Sequence, residues 1–172
     1  MNSIKFKQIN ESVFQSNLDV FILSDLDVNF LKDQALSSAN KRCRICLHQK
    51  PTDLLHEMII ALHRDTLVRP HKHHAKTESF HMIEGKLDVV LFNDCGTICE
   101  IISLSSEGLG SPSYYRLNSK LFHTVLVQSE FAVFQEVTNG PFEQQDTEFA
   151  CFSPSDEEGL SQYLRELRWR KA

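Results

Sequence analysis

The sequence predicts a mainly β domain, a barrel or sandwich, with one helix near each end. Short apolar runs separated by turn residues recur at roughly ten-residue intervals between residues 42 and 137. Helical patterns do not alternate with these runs, which argues against a parallel βαβ sheet. A capping pattern opens an amphipathic stretch before the runs, and a second one opens another after them.

The length and composition are those of an ordinary globular domain. The chain has 172 residues, of which 41% are apolar and 24% charged, so one domain is the default. We expect a strand and helix extension over residues 1–40, a β-barrel over residues 41–153 and a helix packed on it over residues 154–172.

The first forty residues contain one clear helix signal. Residues 4–9 begin with alternating apolar residues and predict a short strand, and the polar residues 10–17 predict a loop. Ser24 and Asp27 form the ends of a capping box, which predicts a helix over about residues 25–39. Its expected buried face consists of Leu26, Phe30, Leu31 and Ala35, with Leu36 beside them.

The remaining elements follow from apolar runs and turn signals. Strands are expected over residues 42–48, 54–62, 86–93, 97–104, 124–127 and 131–137. Ser155 and Glu158 form a second capping box, and the helix after it has an apolar face of Leu160, Tyr163, Leu164 and Leu167. Basic residues near its end complement the helix dipole, namely Arg165, Arg168, Arg170 and Lys171.

Charge and the length of apolar runs argue against two classes of partner, nucleic acids and membranes. The formal net charge is −5 and no basic stripe is visible, which argues against nucleic-acid binding. No run approaches the roughly 18 apolar residues of a membrane span, and the first residues lack the apolar core of a secretion signal. We therefore expect a cytoplasmic protein without a membrane partner.

The five cysteines are an odd number, which argues against a complete disulfide framework. Cys43 with Cys46, and Cys95 with Cys99, have spacings that could contribute to a zinc site, although the second spacing is unusual. We expect these cysteines to be reduced, partly buried thiols.

The segment between Pro70 and Gly85 carries the strongest functional signal. Residues i and i+2 of a strand point to the same face, so His71 and His73 can converge on one ion. The four residues that follow can turn the chain and return Glu78 to the same side. Imidazole nitrogen with carboxylate oxygen suits a divalent transition metal and not a calcium cage.

The same segment fits two other interpretations. A helix would also place His71, His74 and Glu78 on one face. The apolar strand-like flanks leave room only for a very short helix, so this reading is disfavoured. A surface loop that binds nothing, with Glu78 as a solvated acid, remains an alternative.

The pattern His71, His73, Glu78 and Gly85 resembles the first motif of the cupins. The stretch Leu117 to His123 resembles their second motif in weakened form, with Asn118 and Lys120 in place of the usual proline and glycine. Within the cupins, several further pieces resemble the WbuC family of cupin-fold metalloproteins. They are residues 44–48, 56–58, 70–73, 92–94, 122–124, 136–142 and 149–150, so the resemblance covers about residues 40–154.

This resemblance implies a cupin double-stranded β-helix, that is, a jelly-roll barrel. It also implies His123 as a fourth ligand, beside the alternative that His123 is a hydrogen-bonded core histidine. The expected cofactor is one divalent transition metal ion, namely Fe, Zn, Ni or Mn. Four protein ligands leave room for water or substrate on several of these ions.

Candidate substrate-binding residues come from strand parity and from the resemblance. Phe80 and Met82 share the parity of Glu78 and are expected in the same interior. Glu136 is the candidate catalytic residue, because a carboxylate in apolar company needs a partner or a function. The other substrate-contact candidates are Arg44, His48 and Arg116.

The resemblance implies a function in bacterial surface-polysaccharide (O-antigen) biosynthesis. The small polar ligand would then be a sugar or sugar nucleotide, and isomerisation, epimerisation and oxygenation all stay open as reactions. The alternative is a non-catalytic metallo-cupin that binds a sugar or regulates a partner enzyme. Exposed strand edges and the N-terminal helix offer surfaces for a homodimer.

Overall fold

The computed structural model describes residues 5–108, 110–141 and 143–169. Within these ranges the chain forms ten strands, two α-helices and one 3-10 turn. In chain order they are β1 (Phe6–Asn10), β2 (Val13–Ser16), α1 (Asp25–Ser37), β3 (Arg42–Cys46), β4 (Leu55–His63), β5 (His71–His73), β6 (Glu78–Phe92), β7 (Ile98–Ser105), β8 (Tyr114–Leu117), β9 (Phe122–Asn139), the 3-10 turn Gln144–Asp146, β10 (Thr147–Phe149) and α2 (Glu157–Trp169).

Two long antiparallel strands, β6 and β9, run through both layers of the fold. The beginning of β6 pairs with the end of β9, and there the sheet order is β1-β2-β3-β4-β9-β6-β8. The end of β6 pairs with the beginning of β9, and there the order is β10-β5-β9-β6-β7. We call these halves the first and second sheets.

The corner between the sheets lies at Gly85. The pairing of β6 with β9 is irregular there, and Gly85 has a φ of 81°. A Cβ atom at this position would clash with the backbone carbonyl oxygen of Phe131 and approach the Ser129 hydroxyl. Only glycine accommodates both the left-handed backbone and this close approach.

Apolar side chains from both sheets meet in one core. The first sheet contributes Met58, Ile60, Leu62, Phe80, Met82 and Phe134, and the second contributes Leu87, Val89, Leu91, Leu104, Val125 and Val127. Each sheet also has an apolar outer face covered by a helix, α1 on the first and α2 on the second. The mainly β jelly-roll architecture with two helices is therefore confirmed.

The N-terminus of α1 is as predicted, but part of its buried face is not. The capping box of Ser24 and Asp27 is present. The buried apolar residues are Val28, Leu31 and Ala35, which pack on the first sheet. Leu26 is 80% exposed and Leu36 is 49% exposed, so the prediction that they belong to the face is wrong.

Three other boundaries differ from expectation. The predicted loop over residues 10–17 contains β2, which pairs in parallel with β3. The two short strands expected over residues 124–137 are parts of the single strand β9. Asp156 caps α2 in place of Ser155, because its carboxylate accepts a hydrogen bond from the Gly159 amide. The predicted basic residues Arg170 and Lys171 lie outside the described residues.

Neither α1 nor α2 is long and apolar enough to cross a lipid bilayer. The five cysteines all lie in described ranges and are all unpaired.

Candidate metal centre

Three histidines from two strands meet at one end of the interior. His71 and His73 lie at the two ends of β5, and His71 is directly opposite His123 on β9. On its other edge β5 pairs with β10, which places Thr147 opposite His73. Nitrogen atoms of the three imidazoles all lie within 4.8 Å of one another. This separation is short enough for all three to bind one ion.

Backbone carbonyls fix the tautomers of two of these rings. His71 Nδ1 lies 2.9 Å from the Arg69 carbonyl oxygen, and His123 Nδ1 lies 3.1 Å from that of Leu121. Because a carbonyl oxygen only accepts, each Nδ1 carries the proton and donates. In the neutral ring, Nε2 then keeps its lone pair for a metal ion, the usual arrangement of a metal-binding histidine. His73 Nδ1 has the Thr147 hydroxyl at 3.3 Å.

Glu78 adds a carboxylate to the three imidazoles. Its side chain is buried, with Oε1 3.1 Å from His123 Nε2 and Oε2 3.8 Å from His73 Nε2. While the His123 ring is neutral, no described residue donates a hydrogen bond to Glu78 Oε1 or to His123 Nε2. Buried polar atoms without partners are costly, so a shared cation would satisfy both. The donor set therefore fits a divalent transition metal.

The pKa values of the four groups depend on burial and on one another. Burial, with the neighbouring histidines, lowers the pKa of His71 to about 4, and burial also lowers that of His73. Burial opposes ionisation of His123, but the Glu78 carboxylate raises its pKa overall. Burial likewise disfavours the Glu78 carboxylate, and His123 and His73 lower its pKa overall. Neutral His71 and His73 beside a carboxylate suit ion binding near neutral pH.

The four side chains open into a cavity of about 590 Å³ between the sheets. Strand register explains its floor, because directly opposed residues point to the same face. His56 on β4 lies opposite Thr138 on β9, which in turn lies opposite Glu78 on β6. The next row inward contains Met58, Glu136 and Phe80.

Glu136 is a cavity-lining carboxyl group beside the proposed ligands. Burial, reinforced by the negative charge of Glu78, raises its pKa to about 7, although Arg44 and His123 act in the opposite direction. A carboxyl group with this pKa can hold or release a proton near neutral pH.

The structure brings some of the predicted substrate residues to this cavity and leaves others outside it. Arg44, His48 and Phe80 line the cavity. Met82 lies in the apolar core, and it is not a cavity-lining residue. Arg116 is exposed on the outer face of β8, where its side chain donates to Asn118.

The two other histidines of the segment between Pro70 and Gly85, His74 and His81, are both exposed. His74 lies 2.9 Å from the Glu148 carboxylate, and His81 packs against the Tyr114 ring. These two residues are therefore surface histidines.

Several polar residues of the cavity were not predicted from the sequence, among them Arg42, His56, Lys76 and Thr147. Arg42 and Arg44 stand on either side of the apolar Cys43, so strand alternation places both arginines on the same face. This pattern could have predicted that Arg42 lines the cavity together with Arg44. The same alternation places His56 on the face of Met58, and it could have predicted His56 as a cavity residue. Thr147 lies on a strand of three residues, which is too short to show a period.

Comparison with known proteins gives a fold and no established function. A family model described as a domain of unknown function, DUF6016, matches residues 23–104. No curated protein matches.

Two solved structures illustrate the likeness. Protein SO0799 from Shewanella oneidensis is 13% identical with a TM-score of 0.50, over 62% of this chain and 67% of that one. The capsular polysaccharide assembling protein CapF from Staphylococcus aureus is 20% identical with a TM-score of 0.50, over 62% of this chain. The match spans 31% of the CapF chain. At these identities the likeness shows the fold alone, and that fold is the cupin jelly roll.

Proposed function

Proceeding from the cupin fold, we propose that this protein binds one divalent transition metal ion and acts on a small polar molecule. The proposed ligands are His71, His73, His123 and Glu78. The observation that carries this proposal is the convergence of three imidazoles on a buried carboxylate, whose Oε1 atom receives no hydrogen bond from a described residue while His123 is neutral. Such an ion, when bound, supplies a Lewis acid beside the cavity. Fe, Zn, Ni and Mn all suit this donor set.

The proposed substrate class is a sugar or sugar nucleotide of surface-polysaccharide biosynthesis. The support is the resemblance of several segments to the WbuC family, to which we propose the chain belongs. The cavity volume of about 590 Å³ lies within the range of small-molecule sites. Its polar groups, including Arg44, His48 and Glu136, offer hydrogen bonds that a sugar can use.

Glu136 is the proposed acid–base group. It lies one row inward from Glu78 on the same floor, so a ligand near the metal centre comes within its reach. Its pKa of about 7 allows it to accept a proton from a substrate and to return one at neutral pH. This favours a proton-moving reaction, such as isomerisation or epimerisation, over simple ligand storage.

Metal content tests the ligand assignment directly. Elemental analysis of purified protein should give about one ion per chain, and the double variant His71→Ala/His73→Ala should lose it. The control is His74→Ala/His81→Ala, which removes two exposed histidines and should retain the metal. Full metal in the first double variant would refute the assignment.

Reaction class needs a second experiment. The Fe(II)-loaded and Zn-loaded proteins are incubated with a panel of sugar nucleotides, and products are followed by chromatography. Turnover that is lost in Glu136→Gln, with sugar-nucleotide binding retained, would support the enzyme. Binding without turnover of any compound would favour the non-catalytic metallo-cupin.

A further inference from the structure

The cavity-facing side of β3 carries two arginines, whereas the same side of the neighbouring strand β4 carries apolar core residues. β3 lies inside the first sheet, between β2 and β4. Its residues Cys43 and Ile45 face outward and pack under α1. Arg42 and Arg44 have the opposite parity and line the cavity. Their direct partners on β4 are the buried, apolar Leu62 and Ile60.

Among the described residues, neither arginine forms an ion pair with an acidic side chain. In the described part of the chain, the guanidinium of Arg44 forms no ion pair or hydrogen bond, although Glu136 lies within range of its charge. Both arginines are exposed, yet partial desolvation and the charge of Arg44 lower the pKa of Arg42, so the two cations repel each other. An anion from outside the chain would relieve this repulsion.

The arginines and the proposed metal ligands lie at different ends of the cavity. β3 is three strands away from β6, the strand of Glu78, which is roughly 14 Å at normal strand spacing. Two stacked rings, His48 and His56, with centroids 4.0 Å apart, also line this cavity. Burial lowers the pKa of His48, and the charges of His56 and Arg44 lower it further, which places His48 near Arg44.

We propose that Arg42 and Arg44 form an anion subsite for the phosphoryl groups of a ligand. The other end of that ligand reaches the metal centre, a part of the inference that rests on the proposed function. Two guanidiniums at i and i+2 supply two positive charges and up to ten N–H donors. This matches the several charges and oxygens of a diphosphate better than a single carboxylate. The ligand class is therefore a nucleoside diphosphate sugar or a related phosphorylated sugar.

Inorganic pyrophosphate is the probe for this subsite. Its binding to metal-free protein is measured by calorimetry for the wild type, Arg42→Gln/Arg44→Gln and His71→Ala/His73→Ala. The arginine variant should bind at least about tenfold more weakly, since it loses two positive charges and their charge-assisted hydrogen bonds to the anion. The histidine variant should bind like the wild type. Arg165→Gln, which removes an exposed arginine of α2, is the matched control.

If the double arginine variant does not fold, Arg44→Lys replaces it as the test. This variant keeps the positive charge and removes the planar guanidinium, so its affinity for pyrophosphate should be intermediate. Pyrophosphate binding that survives loss of both arginines would overturn the proposal. Binding lost only in the histidine variant would place the anion at the metal centre, and glucuronate binding without pyrophosphate binding would indicate a carboxylate subsite. Metal content of each protein as purified, measured before the metal is removed for calorimetry, separates these outcomes from failure of the proposed function.

Discussion

His123 Nε2 lies 3.1 Å from Glu78 Oε1, and neither of these buried atoms has any other hydrogen-bond partner among the described residues. The His123 tautomer set by the Leu121 carbonyl leaves Nε2 with a lone pair that faces a carboxylate oxygen. Two electron-rich atoms at this distance require a proton or a metal ion between them. A metal ion and a proton therefore compete for the same position.

This competition predicts proton release on metal binding. Burial disfavours charged His123, but Glu78 raises its pKa above the ordinary 6.5, so at pH 6 the metal-free ring is protonated. Zinc should then release about one proton near pH 6 and less at pH 9, because raising the pH favours the neutral ring. Calorimetry in two buffers with different ionisation enthalpies measures this number. Equal proton release at both pH values would contradict the shared position.

Glu136→Gln should change the pH dependence of stability. The pKa of Glu136 rises from 4.5 to about 7 on folding, chiefly through burial, so between these values the folded protein holds a proton that the unfolded chain releases. Raising the pH through this window therefore disfavours folding. Between pH 5 and pH 8, the unfolding free energy of the variant should rise by roughly 1–3 kcal/mol relative to that of the wild type. Urea unfolding of the metal-free proteins measures this difference. Glu130→Gln, at an exposed position of β9, should gain nothing.

Gly85→Ala should destabilise the fold more than Gly108→Ala. Both glycines have positive φ, 81° and 75°, so alanine is strained at each by about 1–2 kcal/mol. Only at Gly85 does the added Cβ meet the Phe131 carbonyl, whereas nothing lies within 4 Å at Gly108. We expect about 2–4 kcal/mol of lost unfolding free energy at Gly85, measured by urea denaturation. Equal losses would show that the sheet corner is not tightly packed.

Leu31→Ala and Leu26→Ala compare the two sides of α1. Leu31 is fully buried against the first sheet and Leu26 is 80% exposed. Truncation at Leu31 should cost about 2–5 kcal/mol of unfolding free energy, because it leaves a cavity. Truncation at Leu26 should change stability by no more than about 0.5 kcal/mol. Similar losses from both variants in thermal or urea unfolding would contradict the packing of this helix.

Strand parity was the most useful sequence signal. It predicted that His71 and His73 share a face, and that Phe80 shares the interior side of Glu78, because alternation over a few residues is a local property. The β jelly-roll class followed from the repeated apolar runs and turns, and the structure confirms it. Ligation of an ion by the four proposed residues remains a prediction.

Tertiary context decided the features that the sequence left open. Arg116 precedes the His123 turn closely, but alternation on β8 buries its neighbours Tyr115 and Leu117 and turns Arg116 outward. Leucines occur around most of α1, so its periodicity alone could not show that Leu26 faces solvent. The strands β2 and β10 have four and three residues and form through pairing with neighbours.

The three-residue strand β5 has a consequence for the order in which the chain becomes structured during synthesis. His71 acquires its neighbour His123 only after about fifty further residues have been made, and β10, which flanks β5, lies later still. Since a ribosome delivers the N-terminal part first, β1 to β4 emerge well before the histidine cluster can close. A nascent chain halted before residue 123 would therefore lack one of the three clustered imidazoles.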